Sequence, residues 1–297
     1  MESLLVHVVH IPNDVRHSGV VTPDILAEAV TYLHRDGVVI LENAIDPCHL
    51  DTLEALLGPE AEETARDPDH HFNFGKETRN MDQAPPLVPD LMFQDIWANG
   101  IAVAVLSAVM GPKLVCHYAN GNTALKAEGR QPVHSDIEKP HPLYPFAYAI
   151  NIPLCDTSVE NAYSLGDEEF GLTIKPDLLS ERRKHSPPIQ PSTKKGSLVP
   201  RDIRLWHAGM PNRTDKPRIM LAFVVQPKWF QARSKVLLPL RAKSTVERWE
   251  AETGLEYAAQ WADGEVDHRK VNSDDVDFST GNQTLLAMER LMHAPLH

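Results

Sequence analysis

The order of segments along this 297-residue chain predicts an α+β, mainly β fold: a double-stranded barrel or sandwich with helices buttressing one of its sheets. Helix-like segments occupy roughly the first 110 residues, and short β-rich runs separated by Gly, Pro and Asn follow from Lys113. With 42% hydrophobic residues and no internal repeat or low-complexity tract, the chain has material for one sizeable core.

The first predicted helix is "DILAEAVTYLHRDG". Thr22 can cap it, Pro23 suits its first turn, and Gly37 follows its end. "VVILENA" then reads as a short strand, and Asp46-Pro47 opens a second helix, "CHLDTLEALLG". The polar stretch from Arg66 to Pro89 lacks periodicity and reads as a long binding loop or lid. "DLMFQDIWANGIAVAVLSAVMG" is helical, interrupted near Gly100. "KLVCHYAN", "FAYAINIPL", "GSLVPRDIRLWHAG" and "RIMLAFVV" read as strands, and "STVERWEAETGLEYAAQWADG" as a closing helix. The basic clusters "ERRKH" and "STKKGS" read as exposed loops.

A net charge of -12 repels phosphate backbones, so nucleic acid is not an expected partner. Three separated cysteines, Cys48, Cys116 and Cys155, form neither a disulfide framework nor a Cys-x-x-Cys zinc site and point to a reducing compartment. The apolar N-terminal run is broken by His7 and His10 and has no basic leader, and no window reaches the ~18 apolar residues of a membrane span. A cytoplasmic protein without a membrane partner is expected, acting on a small molecule.

Two stretches carry chemistry. In "QPVHSDIEK", His134 and Asp136 stand two apart, so on a strand both project to one face. Taken alone, the triplet is as well explained by a surface histidine near a surface acid. In "RLWHAGMPNRTDKPRIMLAF", a hairpin centred on "GMPNRTDKP" would set His207 almost opposite Arg218, on a shared face. A neutral metal-bound imidazole beside a guanidinium that grips an anion makes sense of that pairing. Two histidines and one carboxylate form the facial triad of non-haem Fe(II) oxygenases, with positions left for a bidentate 2-oxoacid and O₂. Singly, His207 also reads as a core histidine and Arg218 as a snorkelling edge residue. Trp206 should point away from His207, and His117 reads as a core or edge histidine.

The order "HSD … WHAGMPNRTDKPR" resembles the phytanoyl-CoA dioxygenase family of Fe(II)/2-oxoglutarate-dependent oxygenases. "FNFGKETRNMDQAPPL" and "ERRKHSPPIQPSTKKGSLVPRDIRLWHAGMPN" are closest to fungal members, including those that tailor specialised metabolites. The resemblance runs from about Pro23 to about Phe230 and implies a double-stranded β-helix, the jelly-roll or cupin-like core. It implies His134, Asp136 and His207 as iron ligands and Arg218 as the 2-oxoglutarate anchor. Gln131 matches a position that contacts the co-substrate, although a solvent-facing strand residue is an equally simple reading. Asn73 and Gln83 fall in the loop that faces substrate, where ordinary loop polarity explains them as well.

A single oxygenase domain over residues 1–297 is expected: helical to about 110, barrel to about 230, then a helix and tail. The implied activity is hydroxylation or desaturation of a small organic molecule, with a homodimer as the implied assembly. One departure stands out. After "CDTSVEN" the family continues with Gly and a short strand ending Pro-Gly-Ser/Thr-His, whereas "ENAYSLGDEEFG" reads as lacking that strand and its turn. Two alternatives follow: a catalytically impaired relative acting as a binding or heterodimer partner, or a zinc hydrolase using the same three ligands.

Overall fold

The computed structural model describes residues 6–137, 145–158, 163–166, 174–230, 232–271 and 278. Strand β1 (Val8–His10) pairs in parallel with β2 (Ile40–Glu42). Between them lie α1 (Asn13–Ser18) and α2 (Pro23–Asp36). Helix α2 starts and stops where the sequence predicts. Thr22 accepts a hydrogen bond from Ile25 N–H, and Gly37 closes the helix with φ of 70°, a left-handed cap that a Cβ would strain.

Helix α3 (Pro47–Thr64) runs past the Gly58-Pro59 pair at which the sequence reading ended it. Leu50, Leu53, Leu57 and Ala61 form one buried stripe across the pair. Packing of that stripe outweighs the ~3 kcal/mol that an interior proline costs. The following segment is mostly loop, as expected, but contains β3 (Asn80–Asp82). Helices α4 (Gln94–Trp97) and α5 (Gly100–Met110) are separated by Asn99, whose side chain accepts from Ile101 and Ala102 N–H and so caps α5.

The main sheet follows. Strand β4 (Leu114–Ala124) pairs antiparallel with β9 (Arg218–Pro227), β9 with β5 (Tyr148–Pro153), and β5 with β7 (Val199–Asp202). β3 and β11 (Leu255–Tyr257) both pair with β4. A second, small sheet joins β6 (Tyr163–Gly166) to β8 (Trp206–Gly209). The two sheets face each other as a double-stranded β-helix, and the helices cover the outer face of the larger one.

Strand alternation builds this arrangement. On β9, Ile219, Leu221, Phe223 and Val225 enter the core shared with α2, α3 and α5. The intervening Arg218, Met220, Ala222 and Val224 face the space between the sheets. On β5, Tyr148, Ile150 and Ile152 join the same core while Ala149 and Asn151 face inward. One pleat therefore separates a dry outer core from an inner wall.

Three further expectations need correction. The closing helix α7 (Lys243–Thr253) stops at Gly254, which has φ of 78°, and the rest becomes β11 and β12 (Ala259–Ala262). Strand β12 pairs with β10 (Val236–Pro239). "ERRKH" lies at the exposed end of helix α6 (Pro176–His185) rather than on a loop. The strand read as missing after "CDTSVEN" is present as β6, paired antiparallel with β8; the turn expected after it lies outside the described residues. Among the described residues, no helix is long and apolar enough to cross a membrane.

Candidate metal centre

His207 reaches the inner space because the chain changes sheets just before it. After β7, Asp202 accepts from Arg204 N–H at 2.9 Å, an aspartate-stabilised turn, and Leu205 N–H donates to Asp202 O. The same carboxylate pairs with the Arg204 guanidinium at 2.7 Å. The chain leaves the turn as β8, in the opposite sheet.

There its partner is not Arg218, as a local hairpin would have it. His207 N–H donates to His134 O at 2.8 Å, and His134 N–H donates to His207 O at 2.9 Å. Residues that exchange both bonds stand directly opposite and share a face. Arg218 belongs to the other sheet, where it lies opposite Ala124 on β4. The "MPNRTDKP" segment is a crossover between sheets: Asn212 donates to Ala124 O at 2.8 Å and to Lys216 O at 2.7 Å, and tethers it. His207 and Arg218 still meet the same cavity, from facing walls.

His134 and Asp136 project to one side, as their spacing predicts. Donor atoms of His134, Asp136 and His207 all lie within 4.8 Å of one another. Asp136 Oδ1 is 3.3 Å from His207 Nε2 and 3.8 Å from His134 Nε2. The other ring nitrogens face backbone carbonyls: His134 Nδ1 is 2.9 Å from Pro132 O, and His207 Nδ1 is 3.1 Å from Leu205 O. An Nδ1–H donated to each of these carbonyls would leave both Nε2 lone pairs free for a metal. Two imidazoles and a carboxylate suit a divalent first-row metal and leave coordination positions open.

Burial, reinforced by the neighbouring His207, pushes His134 down to about 4. Burial acts to raise Asp136, but His207 and the Arg201 guanidinium hold its carboxyl well below the usual range. The folded protein thus binds fewer protons at His134 than the unfolded chain between about pH 6.5 and pH 4. Metal-free stability should fall as pH drops through that window. Thermal unfolding against pH checks this: the His134→Gln variant should show a shallower decline than the parent.

The cavity holds about 190 Å³ between the sheets. Gln131 lines it and is buried rather than solvent-facing; its Oε1 accepts from Gly209 N–H at 2.7 Å. A Cβ at Gly209 would stand 2.8 Å from that amide group and displace it from this position. Asn73 also lines the cavity and donates to Asp82 Oδ1 at 2.6 Å. Gln83 does not line it. Its Nε2 donates to Leu57 O at 2.8 Å and its Oε1 accepts from Thr123 at 2.6 Å, so both amide atoms tie the loop to the scaffold. Trp206 is buried away from the cavity, and His117 lies 3.2 Å from Ser234 O.

Several cavity residues were missed from sequence. Arg201, 4% exposed, donates to Asp136 Oδ2 at 2.7 Å. Arg201 stands beside Asp202 on a four-residue strand, so its charge gave no distinguishing signal in sequence. Phe74, with φ of 62° and 45% exposure, sets its ring 4.8 Å from that of His134. Phe278 stands edge-on to Tyr118 at 5.2 Å and lines the cavity. Phe74 lies within "FNFGKETRNMDQAPPL", where a phenyl ring carries no metal-ligand or acid-base signal, and Phe278 lies in no quoted motif.

Comparison with known proteins gives a consistent picture. A family model described as phytanoyl-CoA dioxygenase (PhyH) matches residues 33–220. The epimerase SnoN of nogalamycin biosynthesis, solved with Fe3+, alpha ketoglutarate and nogalamycin RO, is 16% identical with a TM-score of 0.52, over 69% of this chain and 85% of its own. EctD from S. alaskensis, solved with 2-oxoglutarate and 5-hydroxyectoine, is 17% identical with a TM-score of 0.52, over 79% and 83%. HygX from Streptomyces hygroscopicus, solved with nickel, 2-oxoglutarate and hygromycin B, is 14% identical with a TM-score of 0.52, over 73% and 91%.

Proposed function

We propose, since the chain belongs to the phytanoyl-CoA dioxygenase family, that it is an Fe(II)- and 2-oxoglutarate-dependent dioxygenase acting on a small organic molecule. The observation that carries this reading is the convergence of His134, Asp136 and His207 on one point of a cavity whose far wall holds Arg218.

On this reading the three residues hold the iron, with both histidines oriented by the carbonyls of Pro132 and Leu205. When bound, ferrous iron and 2-oxoglutarate supply oxidising power through O₂ activation coupled to decarboxylation of the co-substrate. Arg218, 1% exposed and steadied by Asn122 Oδ1 at 3.5 Å, receives the far carboxylate of 2-oxoglutarate through its planar fork. Gln131 borders the same space with its amide oxygen already engaged, so its nitrogen is the end it offers to a ligand. Met220, Ala222 and Val224 keep the inner wall apolar, which limits water near the reacting groups. Asn73 and Phe74 stand where a substrate enters. A specialised metabolite, as the fungal resemblance of the loop sequences suggests, suits that mixed polar and aromatic mouth.

The test is a substrate-free assay of 2-oxoglutarate turnover in air with ascorbate. Slow formation of succinate that requires added Fe(II) is expected. A zinc hydrolase or an inert binding partner would form none above the protein-free control, and that result would refute the reading.

A further inference from the structure

We infer that Arg201 is a positioning residue that reserves one oxygen of Asp136, so that the triad presents three donor atoms to the metal rather than four. The inference rests on the metal-binding reading above and adds to it a residue outside the triad and the co-substrate anchor.

A carboxylate left free at both oxygens can chelate a divalent ion, and each extra donor removes a position needed by other ligands. The geometry divides the two oxygens of Asp136. Oδ1 faces the Nε2 atoms of His207 and His134 at 3.3 and 3.8 Å. Oδ2 accepts from Arg201 Nη2 at 2.7 Å, a charge-assisted bond.

Arg201 is itself held in place. Its side chain is 5% exposed, and its Nε donates to Asn151 Oδ1 at 3.3 Å. Arg201 lies opposite Ala149, so Asn151 is its diagonal neighbour on the same cavity face. The third edge of the guanidinium, Nη1, lies 3.3 Å from His207 Nδ1, on the side away from the metal-facing Nε2. A guanidinium fixed at Asn151 and packed beside one ligand therefore grips the second. A 2-oxoacid takes two positions and O₂ a third. The three-donor set leaves three of six, and a chelating Asp136 would leave two.

Cobalt(II) is the probe, because X-ray absorption separates a chelating carboxylate, whose carbon lies nearer the metal, from a one-oxygen carboxylate at the same coordination number. Wild-type protein should bind one Co(II). Arg201→Met should also bind one, with a shift to the shorter metal–carbon distance of a chelate, and Arg201→Lys, which keeps a donor toward Oδ2, should recover the wild-type spectrum. A merely structural ion pair would change thermal stability while leaving the Met-variant spectrum superimposable on the parent, and that result overturns the inference alone. If wild-type protein binds no Co(II), the metal reading falls with it. Should Arg201→Met fail to fold, a crystal structure of Co(II)-loaded wild-type protein decides. Asp136 with one oxygen on the metal and the other on Arg201 upholds the inference; both oxygens on the metal overturn it.

Discussion

Replacing His207 by alanine should abolish tight ferrous-iron binding, raising the dissociation constant by more than about 100-fold and reducing 2-oxoglutarate turnover to the protein-free background. Loss of a group that merely orients a ligand already costs about 10- to 100-fold, and His207 on the present reading is a ligand. The fold should survive. His207 contributes its backbone to the pair with His134, and alanine keeps both of those bonds. Its side chain lines the cavity rather than the helix-covered core. Equilibrium dialysis against Fe(II) under anaerobic conditions, with circular dichroism of the same sample, checks both halves. A folded His207→Ala protein that retains iron at parental affinity would remove His207 from the site.

Replacing Arg218 should separate co-substrate binding from metal binding. Truncating one partner of a buried charge pair costs about 2–5 kcal/mol, or roughly 30- to several-thousand-fold in affinity. Arg218→Met should weaken 2-oxoglutarate by that factor in calorimetric titrations of metal-loaded protein. Iron affinity should change little, because Arg218 stands on the main sheet opposite Ala124 while the three ligands meet at the other wall. Arg218→Lys should fall between, since the ammonium keeps the charge but cannot reproduce the two-bond fork. A 2-oxoglutarate affinity unchanged in Arg218→Met would assign the anchor elsewhere.

Much of this was readable from sequence where the signal is local. Thr22, Pro23 and Gly37 bracket α2 because caps act within a few residues. The His-x-Asp spacing places both side chains on one side whichever strand lies next to it. Pairing was not readable in the same way. A turn rich in Pro, Asn and Asp between two apolar runs fits a hairpin, yet the chain there crosses between sheets, and His207 pairs with His134, far upstream. The conclusion that His207 and Arg218 face one space stands for a different reason: the two sheets face each other. Arg201 was invisible for the same cause, since its partners Asp136 and Asn151 come from remote segments. Gln83 misled because loop polarity looks alike whether an amide serves a ligand or, as here, Leu57 O and the Thr123 hydroxyl. Helix α3 shows tertiary packing overriding a local break, since its buried stripe continues through Gly58-Pro59.

The central claim is that His134, Asp136 and His207 hold one ferrous ion able to take up 2-oxoglutarate. Its most direct test is an anaerobic titration of wild-type protein with Fe(II) in the presence of 2-oxoglutarate, followed by the weak visible charge-transfer absorption of the chelated co-substrate. The account predicts a band that saturates at one iron per chain, needs both components, and is missing in His207→Ala. No band in folded wild-type protein, or the same band in the alanine variant, would contradict it.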